Sequence, residues 1–374
     1  MSGASICWVH IGDLHLEAED GWESRDRLRA IVAEINAHMA GQAHFVFLPG
    51  DNANHGTAEQ YAQMTAALSP LTLPWRVVPG DHDFEPGTLD TYKAAIPEEN
   101  RPEHEVIAGH RCIFLDVVSA GPGGPDFRLT THHRNRIAEN LARAQAEGQV
   151  PLVFMHAYPG DLAADGDQIA QMFADGGVAF VDTGHTHYSE LLNDGRVIYG
   201  ATRSTGQIEE DGGKPGFSIA CVHDGVPSWR FRRLGAPLPH VQIVAPCDRR
   251  LVTRPADPRH VPRPGQVSVV ARVFGADEDG AVFATVDGAQ PVPMQRSGAL
   301  WSADVPIPDA GLHRIEVRCG EARDIAEVLV RPADDIPKRP LPVALGRDCH
   351  AIGAWPVAGL EGTQLGPNKN GGRW

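Results

Sequence analysis

The chain has 374 residues, with 33 Lys and Arg against 48 Asp and Glu and a formal net charge of −15. At roughly 100–200 residues per domain this is enough for two domains, and a 42% hydrophobic, 22% charged composition excludes a fully disordered chain. The acidic balance argues against a nucleic-acid binder held by a basic stripe and against a surface that clings to anionic lipid, because both need clustered Lys and Arg.

Met1-Ser2-Gly3-Ala4-Ser5 leads directly into the apolar run Ile6–Ile11, with no basic or long apolar leader. No apolar run approaches the ~20 residues that span a bilayer, so neither a membrane nor a nucleic-acid partner is expected, and a cytoplasmic location is. From there to about residue 235, short β-branched runs alternate with stretches of helical period. Strands are expected at Ile6–Ile11, Phe45–Leu48, Trp75–Val78, Cys112–Val118, Leu152–Met155, Val178–Val181, Val197–Tyr199 and Phe217–Val222. Helices are expected at 23–40, 57–68, 131–147 and 166–175, the second capped by Thr57 with Gln60 three residues on. Such alternation predicts an α/β domain over 1–235.

A Pro/Gly hinge at Leu234–Pro239 opens a stretch, 240–331, with the period of strands alone: Gln266–Phe274, Ala281–Val286, Leu300–Val305 and Leu312–Cys319, parted by turn signals such as Asp287-Gly288 and Ser297-Gly298. This suits a small β-sandwich. A Pro-rich segment then leads into an extended tail, 332–374, carrying Cys349, His350, Trp355 and Trp374. The six cysteines are widely spaced without a CxxC, and most lie in apolar runs. They are expected as buried free thiols of a reducing compartment. Cys349-His350 leaves an additional metal pair open, against a packed tail.

Chemistry enters where the apolar runs end. Trp8–Ile11 is followed by Gly12-Asp13-Leu14-His15, Phe45–Leu48 by Pro49-Gly50-Asp51-Asn52, and Arg76–Val78 by Pro79-Gly80-Asp81-His82-Asp83; Leu152–Met155 is followed by His156, and Ala179–Thr183 by Gly184-His185-Thr186-His187. In open α/β sheets ligands bind beyond the carboxyl ends of strands, so these five segments converge on one rim. Carboxylate and imidazole donors together outline a metal site. Two divalent ions about 3.5–4 Å apart can clamp a phosphoryl group, and their closeness calls for a carboxylate that spans both. The rival reading, strand-end Asp, Gly and His as mere turn formers, does not account for five such segments.

The ordered series Asp13-x-His15, Gly50-Asp51, Gly80-Asp81-His82-Asp83, His156, Gly184-His185-x-His187 resembles the calcineurin-like metallophosphoesterase superfamily, and within it most the bacterial cyclic-nucleotide and glycerophosphodiester phosphodiesterase branch. The resemblance implies a four-layer αββα sandwich, here followed by an immunoglobulin-like β-sandwich and the tail. It implies one ion held by Asp13, His15, Asp51 and His187 and a second by Asp51, Asp81, His156 and His185, with Asp51 bridging. Mn2+, Fe2+ or Fe3+, and Zn2+ are the candidate ions. One departure is Asp81, where the family usually has Asn. The extra carboxylate is expected to ligate still, and to favour a trivalent ion or a less charged substrate. No Tyr follows Gly50-Asp51, which argues against a purple tyrosinate-iron centre.

By the same resemblance His82 faces the substrate as a catalytic imidazole that assists the leaving group, and Asp83 is expected to hold its tautomer. Asn54, His55 and Arg203 are candidate substrate contacts, with plain loop roles as rivals. His10 is expected to be a satisfied buried histidine, and His132-His133 a solvated helix start. The implied activity is hydrolysis of a small phosphodiester by a metal-bridging hydroxide. The alternatives are a phosphomonoesterase acting on a small organic phosphate and a catalytically silent metal-binding scaffold. The β-sandwich is expected to rim the site or to mediate homo-oligomerisation.

Overall fold

The computed structural model describes residues 4–122, 126–209, 211–276 and 280–335. The expectations for Cys349, His350, Trp355 and Trp374 fall outside them. The first region runs β1 (Ser5–His10), α1 (Glu23–His38), β2 (Phe45–Leu48), α2 (Ala58–Leu68), β3 (Trp75–Val77), α3 (Asp90–Ala95), β4 (His104–Ile107), β5 (His110–Leu115), α4 (Thr131–Ala146), β6 (Val150–Met155), α5 (Gly166–Asp175), β7 (Phe180–Thr183), β8 (Glu190–Asn193), β9 (Ile198–Ala201), β10 (Gly216–His223) and β11 (Val226–Arg233). The expected strands and helices recur with shifted ends, and the Thr57–Gln60 capping box is formed. Additional to the expectation are α3, β4, β8 and β11. The last, VPSWRFRR, reads as polar, but Arg230 is paired with Asp324 and Arg232 with Glu34.

These strands make two sheets, ordered β11-β10-β1-β2-β3 and β4-β5-β6-β7-β9-β8. Period-two alternation then assigns every side chain a layer. Trp8 of β1, Phe45 and Phe47 of β2, Phe154 of β6 and Phe180 of β7 join one core between the sheets. Cys7, Val9, Val46, Val153 and Val181 point the other way, into a core shared with Leu28, Ile31, Val32 and Ile35 of α1 and with Ile137 and Leu141 of α4. Burial on both faces accounts for the unbroken apolar runs FVFL and VPLVFM. No helix of the described residues is long and apolar enough to cross a membrane.

The remaining strands are β12 (His240–Ala245), β13 (Gly265–Phe274), β14 (Val282–Val286), β15 (Val292–Pro293), β16 (Gln295–Ser297), β17 (Leu300–Ile307), β18 (Gly311–Cys319) and β19 (Ala322–Val330). They form two four-stranded sheets, β12-β13-β17-β16 and β15-β14-β18-β19. Val267 and Val269 of β13, Val305 of β17, Ile315 and Val317 of β18 and Val328 of β19 share one core.

One expectation is corrected. Antiparallel pairing of β1 with β10 sets Cys7 opposite Cys221, their Cα atoms 4.1 Å apart, and the two are joined as a disulfide. The 214 residues between them hide the pair in the sequence. Cys112 and Cys247 are buried and free, as expected, and Cys319 is buried.

Candidate metal centre

The parallel strands β1, β2 and β3 of one sheet and β6 and β7 of the other deliver their following loops to a common rim. Seven donors meet there in two groups, Asp13, His15, Asp51 and His187, and Asp51, Asp81, His156 and His185, with the donor atoms of each group within 4.8 Å of one another. Asp51 belongs to both. His15 Nε2 and His156 Nε2 approach Asp51 Oδ2 at 3.6 and 3.4 Å, His156 Nε2 and His185 Nδ1 approach Asp81 Oδ1 at 3.1 and 3.4 Å, and His187 Nε2 lies 3.8 Å from Asp13 Oδ2.

The backbone is held in costly conformations to achieve this. His15, Asp51, His185 and His187 have φ of 42°, 49°, 66° and 62°, a left-handed region that costs a side-chain-bearing residue about 1–3 kcal/mol and clusters at functional sites. Two glycines are required by close approach: a Cβ on Gly80 would lie 2.1 Å from Asp51 Oδ1, and one on Gly184 would lie 2.3 Å from Asp13 Oδ1.

Residues 9–189 match the family model of the calcineurin-like phosphoesterases. A probable cyclic nucleotide phosphodiesterase of Coxiella burnetii is 27% identical over 117 residues, 30% of this chain, and the match spans 46% of that relative's length. In fold, the chain is similar to a dimetal phosphatase from Danio rerio, with a TM-score of 0.51 and 14% identity over 62% of this chain and 96% of that one. The GAP50 anchor of the Plasmodium inner membrane complex gives a TM-score of 0.44 and 13% identity over 62% and 86% of the two chains.

The matched region orients its imidazoles from behind. His15 donates from Nδ1 to Asn54 Oδ1 at 3.0 Å, and His156 from Nδ1 to the Pro49 carbonyl at 2.9 Å. Each ring thereby turns Nε2 to the centre, as ligating histidines do. Cations fit this arrangement. His15 Nε2 and His187 Nε2 stand 2.9 Å apart, and Asp13 Oδ1 is buried with no hydrogen-bond partner among the described residues. Such nitrogen and oxygen lone pairs suit a shared positive ion.

Burial, reinforced by Asp51, pushes the Asp13 carboxyl up to about 7. Burial also holds the His15 imidazole below its ordinary value. Burial opposes charge on His156 too, yet Asp51 and Asp81 outweigh it and hold that imidazole well above the usual histidine range.

His82 sits beside this rim with its side chain 31% exposed. Its backbone N–H donates to Asp51 Oδ1 at 3.0 Å, and its Nδ1 donates to the Asn54 carbonyl at 2.8 Å, with Glu85 at 3.3 Å. Here the expectation for Asp83 is corrected. Its buried carboxylate accepts from Gly80 N, Asn52 N and Nδ2, Ala53 N and Tyr61 OH. It therefore fastens the Asp51 loop to the Asp81 loop, while the Asn54 carbonyl orients the His82 ring. Burial and the nearby Asp51 push the Asp83 carboxyl up to about 6.

The three candidate substrate contacts separate. Arg203 is fully buried, 4.1 Å over the Phe231 ring and paired with Asp211 at 3.3 Å, so the expected phosphate contact is corrected to an internal one. Asn54 is also buried. It holds His15 and His82 in place and donates to Glu17 at 2.6 Å. His55 stands 49% exposed against Glu85 at 2.7 Å, open to an incoming molecule. Sequence reasoning missed Glu85, Glu17 and Asn52. No motif marks them, since they act only through loops that meet in space.

Proposed function

We propose that the chain is a dinuclear metallophosphoesterase that hydrolyses a small phosphodiester. The reading is carried by the two donor groups that share Asp51. Asp13, His15, Asp51 and His187 would hold one ion, and Asp51, Asp81, His156 and His185 the other. Mn2+, iron and Zn2+ all accept this mixture of carboxylate and imidazole. When bound, such a pair supplies a nucleophile from water at neutral pH and neutralises phosphoryl oxygens.

The chain's own residues do the rest. Asp83 locks the two carboxylate loops together, and Asn54 turns His82 so that Nε2 faces outward to give a proton to the departing alkoxide oxygen, which leaves as the alcohol. Burial alone would lower the His82 pKa, but Asp51, the Asn54 carbonyl, Asp81 and Glu85 raise it, which favours the protonated form that such a donation needs. The name of the Coxiella relative supports a diester. So does the local charge: Asp81 adds a carboxylate, and Glu17 and Glu85 flank Asn54 and His82. A singly charged diester meets less repulsion there than a doubly charged monoester.

We further read residues 1–235 as a four-layer αββα catalytic domain and 240–331 as an immunoglobulin-like β-sandwich, supported by the separate core that Val241, Val269, Val317 and Val328 share. Chelator-sensitive turnover of bis-p-nitrophenyl phosphate, run beside p-nitrophenyl phosphate and cyclic AMP with metal content measured on the same sample, tests the proposal. Faster monoester turnover would move the reading to a phosphomonoesterase. No turnover under Mn, Fe, Zn or Co loading would leave a scaffold.

A further inference from the structure

Between the two sheets of the catalytic region lies a polar contact that the chemistry so far has not used. Strand alternation turns Trp8 and His10 of β1 and Asp182 of β7 into the aromatic layer that contains Phe45, Phe47 and Phe154. There Asp182 Oδ2 accepts from Trp8 Nε1 at 2.5 Å, and Asp182 Oδ1 pairs with His10 Nδ1 at 2.6 Å, all three residues being fully buried. A carboxylate in such a layer is costly unless both oxygens are satisfied, and both are. Apolar packing sets how far apart two sheets stand but is non-directional. Charge-assisted hydrogen bonds have direction and fix their lateral offset.

That offset matters at one place. β1 and β2 belong to one sheet and β7 to the other, in separate backbone ladders. His10 lies three residues before Asp13, and Asp182 three before His185. Each donor group draws on both sides: Asp13, His15 and Asp51 against His187, and Asp51 and Asp81 against His156 and His185. A slip of β1 along β7 would open both groups at once.

We propose that Asp182 is a positioning residue that, through His10 and Trp8, holds the two halves of the metal centre in register. The proposal rests on reading the donor groups as metal sites. Its test is calorimetric titration of Mn2+, and in parallel Zn2+, into chelator-stripped full-length protein as wild type, Asp182→Asn and the double variant His10→Leu with Asp182→Leu. The double variant carries no buried charge and strands only the Trp8 indole N–H, so it should fold with a modestly lowered metal-free melting temperature.

Both variants should nevertheless bind the ions about 10–100-fold more weakly. Wild-type affinity in the folded double variant would overturn the proposal and leave the trio as a merely structural buried polar group. Should the double variant not fold, wild-type affinity in folded Asp182→Asn overturns it equally. A wild type that binds neither ion removes the metal reading and this proposal together. A wild type that binds two ions without phosphoester turnover removes only the proposed reaction.

Discussion

Which nitrogen of His15, His156 and His82 faces the rim is decided by single hydrogen bonds from behind, and His82 shows the consequence most directly. With Nδ1 committed to the Asn54 carbonyl, only Nε2 is presented outward. Its pKa lies above the ordinary histidine value because neighbouring carboxylates and that carbonyl outweigh burial. The acid form is the one that protonates a leaving alkoxide, so on the alkaline side kcat should fall as pH rises through the elevated value, while protonation of the metal ligands sets the acid side. His82→Gln should lower kcat by about 10²–10⁴-fold, flatten that alkaline limb and leave metal content unchanged, as pH-rate profiles beside metal analysis would show. Equal loss of metal would make His82 a ligand instead. Asp83 should behave differently. Asp83→Ala strands donors from Gly80, Asn52, Ala53 and Tyr61 in a buried place, each costing about 1–3 kcal/mol. It should therefore lower thermal stability, whereas His82→Gln should not.

The loops that follow β1, β2, β3, β6 and β7 are the working elements, and their spacing is set by how closely backbone can pass backbone. Gly80 lies so near Asp51 that an added Cβ would fall 2.1 Å from Oδ1 and 2.4 Å from the backbone nitrogen. The Asp51 loop is fastened by Asp83 and has little room to retreat. Gly80→Ala should therefore displace the one carboxylate common to both groups and weaken both ions together, by tenfold or more in a Mn2+ titration. Loss at one site only would show that Asp51 does not bridge.

Much of this was legible in the sequence. Strand ends carrying Asp, Gly and His marked the five segments, because a parallel strand buried on both faces leaves an unbroken apolar run whose end is easy to see, and the family resemblance picked out of them the seven residues that meet in the two groups. The partners of those donors were not. Asn54, expected to touch substrate, instead holds two histidines, and Arg203 turned out to be internal, because a loop residue's direction is set by its tertiary neighbours rather than by its place after a strand. The Cys7–Cys221 and His10–Asp182 pairs join residues over 170 positions apart. Only the pairing of β10 with β1 and the stacking of the sheet that holds β7 on the sheet that holds β1 reveal them.

For the molecule as a whole, the β1–β10 pairing closes the first sheet across most of the catalytic region, and the disulfide sits inside that closure. Alkylation of the unfolded, unreduced protein should leave the peptides bearing Cys7 and Cys221 unlabelled until reductant is added, as mass spectrometry would show; labelling without reductant would remove the bond. The other global property is charge. A net charge of −15 remains strongly negative even when two divalent ions are bound, so an approaching phosphoester meets a repulsive far field before it meets the local attraction of the centre. Far fields are screened over a Debye length of about 10 Å at 0.1 M salt, whereas contacts inside the rim are screened much less. Raising ionic strength from about 0.01 to 0.5 M should therefore increase kcat/KM for anionic substrates, acting through encounter rather than through kcat. The gain should be steeper for the dianion p-nitrophenyl phosphate than for the monoanion bis-p-nitrophenyl phosphate, because the repulsive work scales with substrate charge. If kcat/KM instead falls with salt for both, encounter is governed by the positive ions at the rim and the acidic exterior has no part in choosing the substrate.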